Sequence, residues 1–191
     1  MNEDRPLIWV LEGEKAGDNA QGRELAARIG GSTLFRRLRY NLLYKAPNFL
    51  LGERLASLNR RSSDPLSAPW PDLVIGVGRR SVPVARWIKK QSGGRARLLQ
   101  IGRPRARLDL FDLIITTPQY GLPPAANVIE LALPIVSRAA TSSDERDWRN
   151  QLKDLPQPII AVMVGGHIAG IVENGPEARW AIGNLMVGKA A

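Results

Sequence analysis

The apolar positions of this chain fall into short runs separated by longer polar stretches. Six runs have the length and composition of β-strands: residues 7–11, 33–40, 73–77, 97–101, 111–116 and 127–131. Helical patterns or long connections lie between most of them. This alternation is typical of an α/β protein, so we expect a Rossmann-like, doubly wound parallel sheet.

The stretch 71–90 (PDLVIGVGRRSVPVARWIKK) contains the clearest strand–turn–helix pattern of the chain. Residues 73–77 are apolar and rich in β-branched side chains, which is typical of a central strand buried on both faces. Ser81 is placed to cap the helix that follows, and Pro83 falls in its first turn.

Two arginines follow the glycine turn of this unit. Gly78 ends the predicted strand, so Arg79 and Arg80 lie where strand ends and helix N-termini bind anions in open α/β sheets. Two solvated arginines in an ordinary βα turn are an equally weighted alternative.

A second candidate site follows the first strand. The loop EGEKAG leads into a predicted helix over residues 18–29. Asp18 and Gln21 have the spacing of a capping box, so one interpretation is that Asp18 only caps this helix. The other is that the loop and the helix N-terminus bind an anion or a polar substrate group.

The segment 42–58 is amphipathic and basic. It combines leucine, tyrosine and phenylalanine with Lys45 and Arg54, and Arg60 and Arg61 follow it. A core helix with a charged outer face is the favoured interpretation. A segment that lies on a membrane surface is the alternative.

The C-terminal part predicts a separate βα unit. Residues 141–155 are polar and predict a connecting helix, residues 158–164 a new strand, and residues 176–187 a helix. We therefore divide the chain into a domain over 1–140, a linker helix over 141–157 and an incomplete second domain over 158–191. His167, the only histidine, follows a glycine pair where a substrate phosphate could bind, although a lone histidine is weak evidence of catalysis.

Composition narrows the partners without choosing one. The 191 residues include no cysteine and carry a net charge of +9, with a pI of about 10.6. This charge favours sugar nucleotides, acidic lipid head groups or nucleic acid. Nucleic acid is disfavoured because no nucleic-acid-binding motif accompanies the dispersed arginines. The polar start MNEDRP and the lack of a long apolar run predict a cytoplasmic protein without a signal peptide.

Several kinds of chemistry lack support in the sequence. It contains no metal-ligand cluster, nucleophile elbow or P-loop. We therefore expect neither a metal nor a bound cofactor. A nucleotide-sugar or another phosphorylated small molecule would instead be a substrate.

Four stretches together resemble a known family: AGDNAQGRELAARIG, PWPDLVIGVGRRSVPVARWIKK, QIGRPRARLDLFDLIITTPQYGLP with the following NVIEL, and AVMVGG. They are similar to the mitochondrial fission (elongated-mitochondria) family, whose bacterial members are often labelled nucleoside-diphosphate-sugar epimerase-like. The resemblance runs from about residue 7 to residue 166. It implies a GT-B-like architecture, with an acceptor-type and a donor-type Rossmann-like domain facing across a cleft. Members are much longer, so we expect the second domain to be truncated here.

The resemblance also implies which residues line the cleft. They are Gly17, Asp18, Asn19 and Gln21, then Gly78, Arg79, Arg80 and Ser81, and then Pro118, Gln119 and Tyr120, while Gly165 and Gly166 would mark the glycine-rich turn that opens the donor-type domain. The implied reaction is metal-independent glycosyl transfer, with Asp18 as the candidate base for an acceptor hydroxyl. This assignment of roles is by fold analogy.

Three functions compete at this stage. The first is a glycosyltransferase-like enzyme or a remnant of one. The second is a non-catalytic scaffold for proteins or a membrane surface, which the absent donor domain and the family's plant role in recruiting the fission machinery to mitochondria favour. The third is a nucleic-acid binder, for which net charge is the only support.

Overall fold

The computed structural model describes residues 5–135, together with 150, 152 and 153. Residues 5–135 belong to one unit, Met1–Ala139. Its six strands are β1 Leu7–Glu12, β2 Ser32–Arg37, β3 Leu73–Val77, β4 Arg97–Ile101, β5 Leu113–Thr116 and β6 Val128–Glu130. Its α-helices are α1 Ala16–Ile29, α2 Asn48–Leu51 and α3 Val82–Gln91.

The strands form one parallel sheet in the order β2-β1-β3-β4-β5-β6. The chain moves outward from β1 to β2, then crosses back to place β3 on the other side of β1. This reversal makes the space beyond β1 and β3 the topological switch point, where open α/β sheets bind ligands. The predicted doubly wound parallel sheet is confirmed, and β3 is a central strand with the predicted bounds.

The two faces of the sheet carry separate cores. Trp9 and Leu11 of β1 pack in a cluster that includes Val84 of α3. Ile8 and Val10, which alternate with them, pack in a second cluster that also contains α1 residues. The alternation places α1 and α3 on opposite faces, as the side-chain period of a strand requires.

Helix α1 begins earlier than the sequence predicts. Lys15 is its N-cap residue and makes no side-chain capping bond, so Asp18 lies inside the first turn. The predicted capping box of Asp18 and Gln21 is therefore wrong. Asn19 explains the earlier start, because its amide closes the preceding loop through two bonds with the Gly13 backbone, of 2.9 and 3.0 Å.

The segment 42–58 is not a core helix, so the favoured interpretation of its pattern is wrong. It forms a short 3-10 helix, Leu42–Lys45, and the single turn α2. Leu42 is 78% exposed and Phe49 is 79% exposed, while Asn48 between them is buried. Pro47 prevents one continuous helix, because a proline disfavours the helical conformation of the residue before it, and Ala46 is extended here.

Two aspartates join the amino ends of the strands. Asp72 accepts a bond from the Leu7 amide at 2.9 Å and so ties β3 to β1. Asp112 accepts from the Leu98 amide at 2.8 Å, from Lys89 Nζ at 2.9 Å and from Arg97 Nη1 at 2.7 Å. The resembling blocks PWPD and FDL therefore contribute to the framework at the edge opposite the switch point.

Three tryptophans pack in a row near the amino edge of the sheet. The Trp70 ring lies 5.8 Å from the Trp9 ring and 5.8 Å from the Trp87 ring, in a tilted and an edge-on arrangement. Such pairs add stability beyond the area that they bury. The tryptophan of the PWPD block thus holds α3 against β1.

Some predictions lie outside the described residues. The strand 158–164, the helix 176–187, Gly165, Gly166 and His167 belong to this group, as does most of the linker 141–157. Within the described part of the chain, no helix is long and apolar enough to cross a membrane.

Candidate functional site

A cleft of about 520 Å³ opens at the carboxyl edge of the sheet. Leu11 of β1, Val77 of β3, Ile101 of β4 and Thr116 of β5 lie in its wall. Because all strands are parallel, every loop that follows a strand meets here. The cleft includes the switch point between β1 and β3, where ligands bind in this fold class.

The structure brings together most of the site residues predicted in the first domain. Eight line the cleft: Asp18, Asn19, Gln21, Gly78, Arg79, Arg80, Gln119 and Tyr120. Gly17 and Pro118 do not line it, and Ser81 is buried beneath the turn that follows β3.

Asp18 stands beside the turn that follows β3. A Cβ placed on Gly78 would lie 3.7 Å from Asp18 Oδ2. The carboxylate thus faces the glycine that ends the central strand, on the opposite side of the switch point. Asn19, in contrast, uses both ends of its amide to hold Gly13, which makes it a structural residue of the same wall.

The turn after β3 is held by the side chain of Gln100, a residue that sequence reasoning did not identify. Gly78 has φ +67° and its amide donates to Ile101 O at 2.9 Å. Its own carbonyl accepts from Gln100 Nε2 at 2.8 Å and from Ser81 Oγ at 2.9 Å. Ser81 therefore occupies the N-cap position of α3 but bonds backward to the turn rather than capping the helix.

The two arginines predicted to bind anions already have protein partners. Arg79 Nη1 donates to Ala46 O at 3.3 Å. Arg80 Nη1 lies 3.4 Å from Glu14 Oε2, and its guanidinium stacks 4.0 Å from the Tyr44 ring centroid. These contacts orient both side chains along the cleft wall.

A second pair of arginines enters the cleft from the loop after β4. Arg103 and Arg105 both line it and both are exposed. Buried Asn48 of α2 joins this loop to the turn after β3, since its Nδ2 donates to Pro104 O at 2.7 Å and to Arg79 O at 3.0 Å. The motif GRPRAR marked a basic turn, but no sequence signal showed that Asn48 would hold it.

The charge of the cleft is predominantly positive. Among the described residues, five cationic side chains line it, Lys15, Arg79, Arg80, Arg103 and Arg105, against the two carboxylates Glu14 and Asp18. Burial raises the pKa of the Tyr40 phenol well above its ordinary value, while Arg80 lowers it and Glu14 raises it further. Tyr40 therefore stays protonated at neutral pH and offers the cleft a neutral hydroxyl.

Comparisons with known proteins identify the family of this chain. Residues 16–185 match the family model described as Mitochondrial fission ELM1. The chain is 35% identical over 109 residues to "Uncharacterized protein RP120" of Rickettsia prowazekii (strain Madrid E), a match that covers 56% of this chain and 30% of that protein. No solved structure matches the chain. Since the family model spans most of the sequence, the protein belongs to the mitochondrial fission ELM1 family.

Proposed function

We propose that the cleft binds the phosphate groups of a small molecule, with a nucleotide-sugar as the favoured class, in a GT-B-type, glycosyltransferase-like protein. One observation carries the proposal: within residues 5–135, cationic side chains outnumber carboxylates five to two around the switch point of a doubly wound sheet. A phosphorylated ligand gains from both features, because cations offset its charge and strand ends present backbone donors.

The N-terminus of α1 supports the same proposal. Lys15 occupies the N-cap position of this 14-residue helix, and its side chain makes no capping hydrogen bond. Lys15 and Asp18 both line the cleft. The first amides of the helix thus have no capping side chain as acceptor, and the helix dipole favours an anion there.

Asp18 is the candidate general base of a transfer reaction. Its carboxylate stands beside Gly78 in the cleft wall, within the same pocket as the cationic groups. An acceptor hydroxyl bound at this position would lose its proton to Asp18 as it attacks the sugar carbon, while cations stabilise the departing diphosphate.

Titration calorimetry with UDP-glucose, GDP-mannose and ADP-glucose tests the proposal, with glucose as the uncharged control. We expect at least one nucleotide-sugar to bind, and we expect its affinity to fall as salt rises because the contacts are ionic. Glucose should not bind measurably. Failure of all three nucleotide-sugars and of inorganic pyrophosphate would contradict the proposal.

A second candidate function is a scaffold at a membrane surface. The segment 42–51 exposes four large apolar side chains, Leu42, Leu43, Phe49 and Leu50. Lys45 and Arg54 are exposed nearby in the chain. Apolar side chains with flanking cations fit an interface that carries anionic lipid head groups.

Vesicle sedimentation separates this candidate from the first. The protein should sediment with vesicles that contain phosphatidylserine and stay in solution with pure phosphatidylcholine vesicles. Replacing Phe49 and Leu50 with serine should abolish sedimentation without changing nucleotide-sugar binding. Equal sedimentation of the wild type and this variant would contradict a lipid-binding role for the segment.

A further inference from the structure

We propose that Arg103 and Arg105, on the loop after β4, form the phosphate-binding subsite of the cleft, in place of the arginine pair after β3. The inference rests on the proposed function and assigns its anion to a particular wall. The ligand group is a diphosphate or a comparable doubly charged phosphate, such as the bridge of a nucleotide-sugar.

The pair after β3 is poorly available for a ligand. Arg80 is paired with Glu14, whose carboxylate offsets its charge, and its flat face is covered by Tyr44. Arg79 already donates a hydrogen bond to the Ala46 carbonyl oxygen. A ligand phosphate would have to displace these partners, and each displaced contact makes binding less favourable.

The pair after β4 has the opposite character. Among residues 5–135, neither Arg103 nor Arg105 makes an ion pair or a side-chain hydrogen bond. Both line the cleft and both are exposed. Each guanidinium can therefore present its full fork of donors, which matches two oxygens of a phosphate.

The backbone that carries the pair is fixed on three sides. The Gly102 amide donates to Ile115 O at 2.8 Å, and Asn48 holds the Pro104 carbonyl at 2.7 Å. The Tyr120 ring packs on Gly102, where a Cβ would lie 3.4 Å from a ring carbon. A loop that is already fixed loses little backbone entropy when a ligand binds, so ordering this loop subtracts little from the free energy of binding.

The loop also carries backbone strain. Among the described residues other than glycine, Arg105 alone has a positive φ, +49°. Side chains rarely adopt this region, and residues that do are concentrated at ligand-binding and active sites. The strained conformation occurs here at one of the two arginines of the proposed subsite.

One more group in the same wall lacks a partner. The Thr117 hydroxyl is buried, lines the cleft region after β5, and has no hydrogen bond within the described part of the chain. Buried polar groups are nearly always satisfied, so an unpaired donor indicates a place for a water molecule or a ligand oxygen.

Three double variants test the assignment by titration calorimetry with inorganic pyrophosphate and UDP-glucose. R103A/R105A should weaken both by about tenfold or more, because two charge-assisted contacts are lost. R79A/R80A should weaken both clearly less than R103A/R105A does, because it removes only the longer-range attraction of two charges and no direct phosphate contact. R60A/R61A removes two exposed arginines outside the cleft and should have no effect.

Circular dichroism and thermal unfolding establish that each variant folds. R103K/R105K is a second variant that tests the geometry of the contact separately from its charge. It keeps the charges but removes the fork geometry, so its affinity should fall between those of the wild type and R103A/R105A. Binding that survives R103A/R105A but is lost in R79A/R80A would overturn the subsite and leave the proposed function intact. Equal losses in all three double variants would overturn the subsite as a specific contact. If wild type binds neither probe, both proposals fail.

Discussion

The side-chain amide of Asn48 donates a hydrogen bond of 2.7 Å to the carbonyl oxygen of Pro104, across 56 positions of sequence. The same nitrogen reaches Arg79 O at 3.0 Å. One buried side chain thus connects the two loops that carry the four arginines of the cleft.

The first prediction follows from this connection. N48A should lower the free energy of unfolding by about 1–3 kcal/mol, because the buried Pro104 carbonyl and the partly buried Arg79 carbonyl lose their donor. It should also weaken pyrophosphate binding, since the loop after β4 loses one of the three contacts that fix it. Urea unfolding and calorimetry measure the two effects. N59A, at an exposed position, is the matched control and should leave both unchanged.

The second prediction concerns the pH dependence of stability. Burial by itself raises the pKa of Asp112, but hydrogen bonds from Arg97, the Leu98 amide and Lys89 outweigh it and lower the pKa from 3.8 to about 2. The carboxylate therefore stabilises the fold above about pH 4, and this contribution is lost as the pH falls toward 2.

Its test is the difference in unfolding free energy between wild type and D112N. We expect about 1–2 kcal/mol at pH 7, after allowance for partial exposure, and a difference that shrinks as the pH falls from about 4 to about 2. E130Q removes an exposed carboxylate that has no ion-pair partner among residues 5–135 and is the control. A wild-type–D112N difference that stays constant over this range would show that the Asp112 charge contributes nothing.

The third prediction compares two glycines. A Cβ on Gly76 would lie 2.7 Å from Ser81 Oγ and 3.0 Å from Gln100 Oε1, both of them held in the buried turn. G76A should therefore destabilise the protein by about 1–3 kcal/mol. Gly17 lies in α1 with nothing within 4 Å of such a Cβ. G17A should stabilise by about 0.5–1 kcal/mol, because alanine loses less entropy in a helix. A reversed order in thermal unfolding would contradict the packing of the turn.

The fourth prediction separates binding from proton transfer at Asp18. D18N removes one of the two carboxylates of a cleft proposed to hold an anion, so pyrophosphate should bind more tightly, by about two- to tenfold. Any glycosyl transfer or sugar-nucleotide hydrolysis should be lost, since an amide cannot accept the proton. E24Q removes a carboxylate that pairs with Arg28 outside the cleft and should change neither. Weaker binding by D18N would indicate that Asp18 contacts the ligand as an acceptor.

Short local patterns determined the strands and their order of appearance. The runs 73–77 and 97–101 are strands with the predicted bounds, and Pro83 lies in the first turn of α3 as expected. These features follow from the apolar period and from proline chemistry, which act within a few residues. The parallel sheet followed from the same pattern, because connections that carry helices impose it.

The segment 42–58 shows where local pattern fails. Its leucines and phenylalanine have the composition of a core helix, yet Leu42 and Phe49 face solvent and the buried residue is Asn48. Asn48 is buried because its side-chain amide donates to two carbonyl groups, those of Arg79 and Pro104, that are distant in sequence. Burial is decided by what the rest of the chain packs against, and the apolar pattern of this segment alone does not determine it.

Sequence alone therefore determined that polar and basic residues gather at the carboxyl ends of parallel strands. It selected Arg79 and Arg80 because they follow the clearest glycine turn. Tertiary structure decided which arginines remain available, since Glu14, Tyr44 and the Ala46 carbonyl reach that pair from other parts of the chain. Availability of a charge depends on its spatial neighbours, and these are brought together only when the sheet gathers the connections after β1, β2, β3 and β4 around one cleft.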